Sequence, residues 1–355
     1  PNISSLRLWL PTVVHIATAF VMITALVLAV SGTDQAVRLL PALAMLLAAV
    51  GLGIYAAPLD DSRFRVESLM IGTLATVCCI WGFMEPAGVD HQWLTRMIRL
   101  LEVVSVATFV CDVPASRFIP PGSHWKSSLH TASALTGVTS LLTLVVVLVL
   151  EAVWYEAGSG APVTGGQIAV VAAALAALSA GLIAIAVMPE RDPLKLTDQG
   201  RRFYVYAAEA VAALLFLHIY LTMPELFTGR IRPWWPLIVM TIAFAGASVG
   251  EVLRRSKIDV LADPLQRTAT FLPLLPALGF WLVTPRSQLA AAYSTELFAA
   301  GLIYVFLSMW KRTPLLTALA AAAGNAGLWA LWHELDVALF SRPQVWMIPP
   351  ALSVL

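Results

Sequence analysis

The chain has 355 residues, 59% of them hydrophobic and 12% charged, with a formal net charge of +1 and a mean hydropathy of +0.82. A soluble domain carries roughly a quarter charged residues, so half that share excludes an ordinary water-soluble domain, and a near-neutral balance gives no attraction for nucleic acid. Cys78, Cys79 and Cys111 all fall inside apolar runs and read as small hydrophobes, not as a disulfide framework or a metal set.

A helix needs about 20 mostly apolar residues to cross the hydrocarbon core. By that rule the sequence predicts an all-α, polytopic membrane bundle of eleven spans and the start of a twelfth: 8–30, 37–57, 67–85, 93–113, 128–151, 166–188, 203–223, 233–253, 268–284, 288–310, 313–340 and 343 onward. The segments are continuously apolar without alternation, which excludes a β-barrel. The connections are too short for a soluble domain, so 1–355 reads as a single transmembrane domain. Because it opens on Pro1 and stops within "MIPPALSVL", a fragment of a longer chain is expected.

Cytoplasmic loops carry an excess of Lys and Arg. On the N-terminal side fall Arg7, Arg63, Arg65, Arg117, Lys126, Arg191, Lys195, Arg201, Arg202, Arg254, Arg255, Lys257, Arg267, Lys311 and Arg312, fifteen in all; Arg38, Arg96, Arg99, Arg230, Arg232, Arg286 and Arg342 are the seven opposite. The bias predicts a cytoplasmic N-terminus, and the expected location is a bacterial cytoplasmic (inner) membrane. A four-helix repeat relating 203–253 and 313–355 is suggested by "ELFTGRIRPWW" and "ALFSRPQVW".

Ionisable residues inside spans cost a few kcal/mol each and need a partner, water or the interface. In span four, Arg99 and Glu102 are one helical turn apart and are expected to pair. Glu209 in span seven has Tyr206 one turn before it, and Glu296 is expected near the middle of span ten. Buried carboxylates tend towards raised pKa values, which suits proton coupling or cation coordination. Pro273 and Pro276 should kink or break span nine and free carbonyls. In "GNAGLWALWHELD", Asn325, Trp329, Trp332 and Asp336 fall within about 60° on one helical face. "HELD" lacks the second histidine of a metalloprotease HExxH, since Val337 stands in its place.

His15, His130, His218 and His333 are the histidines within spans, and two levels of such residues are conceivable ligands for haem b. Without nucleotide-binding or hydrolase motifs an enzyme is not the expected class. The first expectation is an ion- or proton-coupled solute transporter, with Glu296, Glu209, Asn325, Asp336 and Tyr206 as coupling candidates. The alternative is a non-catalytic integral subunit or scaffold of a larger membrane complex; a haem-binding or other intramembrane redox protein comes third. The expected partners are the lipid bilayer and other membrane subunits.

Overall fold

The computed structural model describes residues 3–31, 35–57, 62–83, 93–120, 122–156, 165–192, 194–228, 232–280, 291–337 and 342–354. Its helices are α1 (Ile3–Ser31), α2 (Gln35–Ala56), α3 (Ser62–Phe83), α4 (Trp93–Phe118), α5 (His124–Glu156), α6 (Gly165–Val187), α7 (Asp198–Thr222), the short α8 (Pro224–Thr228), α9 (Trp235–Arg255), α10 (Asp259–Phe271), α11 (Tyr293–Lys311), α12 (Pro314–Glu334) and α13 (Pro343–Val354). No strand occurs among the described residues. Seven helices there are long and apolar enough to cross a membrane, namely α3, α5, α6, α7, α9, α12 and the Leu39–Ala56 part of α2; α1 adds a shorter apolar stretch, Pro11–Ala25.

The surface is that of a protein in lipid. Val13, Ile16, Phe20, Ile23 and Val27 of α1 are all more than half exposed, and so are Leu142, Val145, Val149 and Val153 of α5. These spacings of three and four put each set on one helical stripe. Polar side chains meanwhile lie buried inside: Glu102, Ser128, Ser140 and Glu151 are 0% exposed. An apolar exterior over a polar interior is stable only where hydrocarbon replaces water.

The chain packs as two compact units. Unit 1 comprises residues 1–196 and 207–222, hence α1 to α6 and the later part of α7. Its α2–α3 seam uses Ala42, Met45, Ala49, Leu52 and Ala56 against Phe64, Ile71, Ala75 and Cys78. Spacing of alternately three and four residues with alanine at every other layer lets two antiparallel backbones approach closely. Ser68 donates from α3 to the Ala49 carbonyl at 2.7 Å. On the other flank, the Phe109 ring of α4 is held between Gly137 of α5 and Gly181 of α6; a Cβ on either glycine would stand 3.0 Å from a ring carbon.

Unit 2 comprises residues 197–206 and 223–355. Met240, Ala243 and Ala247 of α9, Ala269 of α10, Ala300, Ile303, Tyr304 and Leu307 of α11 and Leu316 of α12 form its core. The Tyr304 hydroxyl donates to the Thr270 carbonyl at 3.0 Å, one of the carbonyls left over where α10 stops. Within the expected span 268–284 the α-helix ends at Phe271, a turn carries Leu272 and Pro273, and a π-helical turn runs Pro276–Phe280. Proline has no N–H to continue the ladder and clashes with the preceding turn.

Candidate functional site

In unit 1 the polar interior converges on Glu151, five residues from the end of α5. Arg99 of α4 donates from Nη2 to Glu151 Oε1 at 3.2 Å. His218 of α7 places Nδ1 2.8 Å from Glu151 Oε2 and Nε2 3.3 Å from the Ile168 carbonyl of α6. Four helices therefore meet at one carboxylate, whose side chain is 0% exposed beside a histidine 1% and an arginine 7% exposed. The expected Arg99–Glu102 pairing gives way to this longer-range one. Arg99 has one guanidinium to share, and the α5 carboxylate takes it.

Glu102 is left fully buried with neither oxygen hydrogen-bonded, within electrostatic reach of both Arg99 and Glu151. No donor there is poised to hold a negative charge on it, and an ionised carboxylate without donors is costly in a dry interior. The donor count at His218 adds a second constraint. A carbonyl oxygen only accepts, so Nε2 must carry a hydrogen to bond Ile168. The Nδ1 contact then needs a further proton, on either Nδ1 or Glu151. The His218–Glu151 pair thus holds one proton more than a neutral imidazole and a carboxylate would.

Farther along the antiparallel packing of α4 and α5 lies a polar seam. Ser105 of α4 and Ser140, Thr136 and Ser133 of α5 are all buried. Ser140 donates to the Thr136 carbonyl and Thr136 to that of Ser133, each within α5, while Ser133 reaches the Phe109 carbonyl at 3.5 Å. The seam ends at Asp112 of α4 and His130 of α5, 3.2 Å apart. Two further polar contacts lie at that end of unit 1: His15 with Glu67 at 2.6 Å, and Arg65 donating to Ser128 at 3.2 Å. Along α5 the Glu151 centre and the Asp112–His130 pair lie near opposite ends of the helix.

A second polar group sits in unit 2. The backbone N–H and hydroxyl of Ser294, in the first turn of α11, donate to Glu334 Oε1 at 3.0 Å and Oε2 at 2.5 Å. Glu334 ends α12, so its carboxylate satisfies an orphan donor of a neighbouring helix and complements the positive end of that helix. Glu296 is 1% exposed, with Oε1 lacking a hydrogen-bond partner, and lies in electrostatic reach of Glu334. The expectation of Glu296 at mid-span is corrected: α11 begins at Tyr293, which puts Glu296 in its first turn, where the helix dipole favours acids.

Asp336 is also displaced from the expected helical face. It follows the end of α12 with φ +54° and is exposed. Val337 N–H donates to the Trp332 carbonyl and Asp336 N–H to that of His333, a Schellman ending with aspartate at the left-handed position. Asn325 is half-buried on α12, and on α7 Glu209 is half-buried while Tyr206 is 38% exposed. Both ring nitrogens of His218 are engaged within the protein. Among the described residues no group of three or more His, Cys, Asp or Glu side chains could hold a metal ion.

Sequence reasoning missed Glu151 and Glu334. The signal for Glu151 was its setting in "LVVVLVLEAVWY", a carboxylate in an apolar run with no basic residue within a turn. Together these features define an all-α, multi-pass membrane helix bundle with a buried acid–base centre. No family model, curated protein or solved structure matches the chain.

Proposed function

We propose that this multi-pass protein is an ion- or proton-coupled solute transporter in which the Glu102–Glu151–His218–Arg99 centre is the coupling element. The observation that carries this reading is Glu102: fully buried, without a hydrogen-bond donor, and beside an ion pair whose charge it feels. Such a carboxyl exchanges its proton when the neighbouring charges rearrange. The buried hydroxyls of Ser105, Ser140, Thr136 and Ser133 support the same reading, because they lie along the α4–α5 packing between this centre and the Asp112–His130 pair. Intramembrane acids in a chain of this kind are the usual elements of proton relays.

Reconstitution in liposomes with a pH-sensitive dye inside tests it. Glu102→Gln should abolish proton flux coupled to solute uptake while leaving the protein folded and inserted; unchanged flux would sink the proposal.

One observation favours a second reading, a non-catalytic subunit of a membrane complex. Arg99, Glu151, His218 and the Ile168 carbonyl are mutually satisfied, as a lock between four helices would be. Gentle extraction from native membrane then yields stoichiometric partner proteins, whereas a solitary monodisperse species speaks for the transporter.

A further inference from the structure

Unit 2 contains an open groove of about 530 Å³ lined by Tyr293, Trp329, His333, Glu334 and Trp346 with small and aliphatic residues between them. We infer that this groove binds an alkylammonium group, either of a free organic cation or of a phospholipid headgroup.

The chemistry of the lining selects that class. Trp329 already gives its indole N–H to the Trp346 carbonyl at 2.9 Å, and Trp346 gives its own to the Val337 carbonyl at 3.2 Å. The Tyr293 hydroxyl donates to the Ala277 carbonyl. The polar ends of all three rings are thus spent inside the protein; the Trp346 ring packs edge-on with Trp332, centroids 6.0 Å apart, and Trp329, 40% exposed, lines the groove with its indole. Faces of tryptophan and tyrosine attract cations through their quadrupole, best of all alkylated ammonium groups.

Beside them stands a carboxylate whose direction is fixed, because both Glu334 oxygens are held by Ser294. Each oxygen keeps a lone pair free for a ligand. Among the described residues no Lys or Arg lines the groove, and buried Glu296 is in electrostatic reach of Glu334. An anion would meet this carboxylate unfavourably, and a neutral apolar molecule would gain nothing from it. The volume is of the size that small ligands occupy. Binding is read directly, so the inference does not rest on any transport activity.

The test uses the full chain in maltoside micelles, whose headgroups carry no ammonium, with choline as probe and 3,3-dimethylbutan-1-ol as its neutral isostere, followed by calorimetry. Choline should bind saturably and the isostere should not. Glu334→Gln keeps acceptors for Ser294 but loses the charge, and it should weaken choline by roughly tenfold or more. Trp329→Leu should weaken it likewise, whereas Trp329→Phe keeps a ring face and stays near wild type. Equal binding of the isostere, indifference to Glu334→Gln and Trp329→Leu, or no saturable choline binding would overturn the inference. Nanodiscs separate the two sources: a headgroup site loses choline binding in phosphatidylcholine discs and keeps it in phosphatidylglycerol discs. A site for a free cation binds choline equally in both.

Discussion

His218 Nδ1 and Glu151 Oε2 stand 2.8 Å apart where the two side chains are 1% and 0% exposed, and Arg99 closes on the other oxygen of the same carboxylate. Removing one member of such a buried set strands the rest. Glu151→Ala should therefore destabilise by about 3–5 kcal/mol, and Arg99→Ala by a similar amount, as breaking a buried pair does. Replacing all three together with apolar residues of like volume (Arg99→Met, Glu151→Leu, His218→Leu) should recover most of that loss, because no charge is left unpaired. Unfolding in a denaturing-detergent titration measures the three variants. If the triple variant is as unstable as Glu151→Ala, the network is not what joins these helices.

The same triple variant separates the two functional readings. A lock between helices can be rebuilt from apolar contacts, so a subunit would keep its assembly with the centre replaced. A coupling element cannot, and a transporter would fold yet lose proton-coupled uptake. Native purification and a liposome flux assay on one preparation give both readouts.

Phe109 makes a sharper packing prediction. In an open helical position Gly→Ala gains about 1 kcal/mol from propensity, and Gly51, with nothing within 4 Å of a built Cβ, should show that gain. At Gly137 and Gly181 the added Cβ would stand 3.0 Å from a ring gripped on both sides. Overpacking of this kind costs about 1–3 kcal/mol, which outweighs propensity. Gly137→Ala should lower the thermal midpoint and Phe109→Leu in the same chain should restore part of it. Additive losses would show that the two residues do not press on one another.

How legible all this was in the sequence depends on what each feature answers to. The spans were readable because lipid demands continuous apolar runs, and α1 to α7 fall where those runs lie. Partner choice was not. Arg99 finds Glu151 52 positions away, because α4 and α5 pack antiparallel, while helical spacing alone pointed to Glu102. Glu151 itself was passed over as the end of a span. Helix ends were also hidden: the apolar run continues to Phe340, yet α12 stops at Glu334. Glu334 shows the same limit, since its partner Ser294 lies 40 positions earlier.

Asp336 tests that helix end. A left-handed φ costs an ordinary residue about 1–2 kcal/mol, and glycine nothing. Asp336→Gly should be neutral or slightly stabilising, whereas Asp336→Val, β-branched at φ +54°, should loosen the last turn of α12. Hydrogen exchange at Leu335, Asp336 and Val337, whose N–H groups bond back into α12, reports it. Equal protection in both variants would mean that the turn is held by packing and not by the backbone.

The orientation of the whole rests on the fifteen-to-seven distribution of Lys and Arg in the sequence. Charge bias sets topology through short loops, so the turn after α9 and the connection between α5 and α6 should face opposite sides. With Cys78, Cys79 and Cys111 replaced by alanine, Ser256→Cys should react with a membrane-impermeant maleimide only in inside-out vesicles. Ser159→Cys and Ser287→Cys should react only in intact cells. The same orientation would place the Glu151 centre on the outer side and Asp112 and His130 on the inner. Labelling of Ser256→Cys from outside would reverse the direction of the seam. Labelling of Ser159→Cys and Ser256→Cys from one side would mean that an odd number of the segments between them fails to cross.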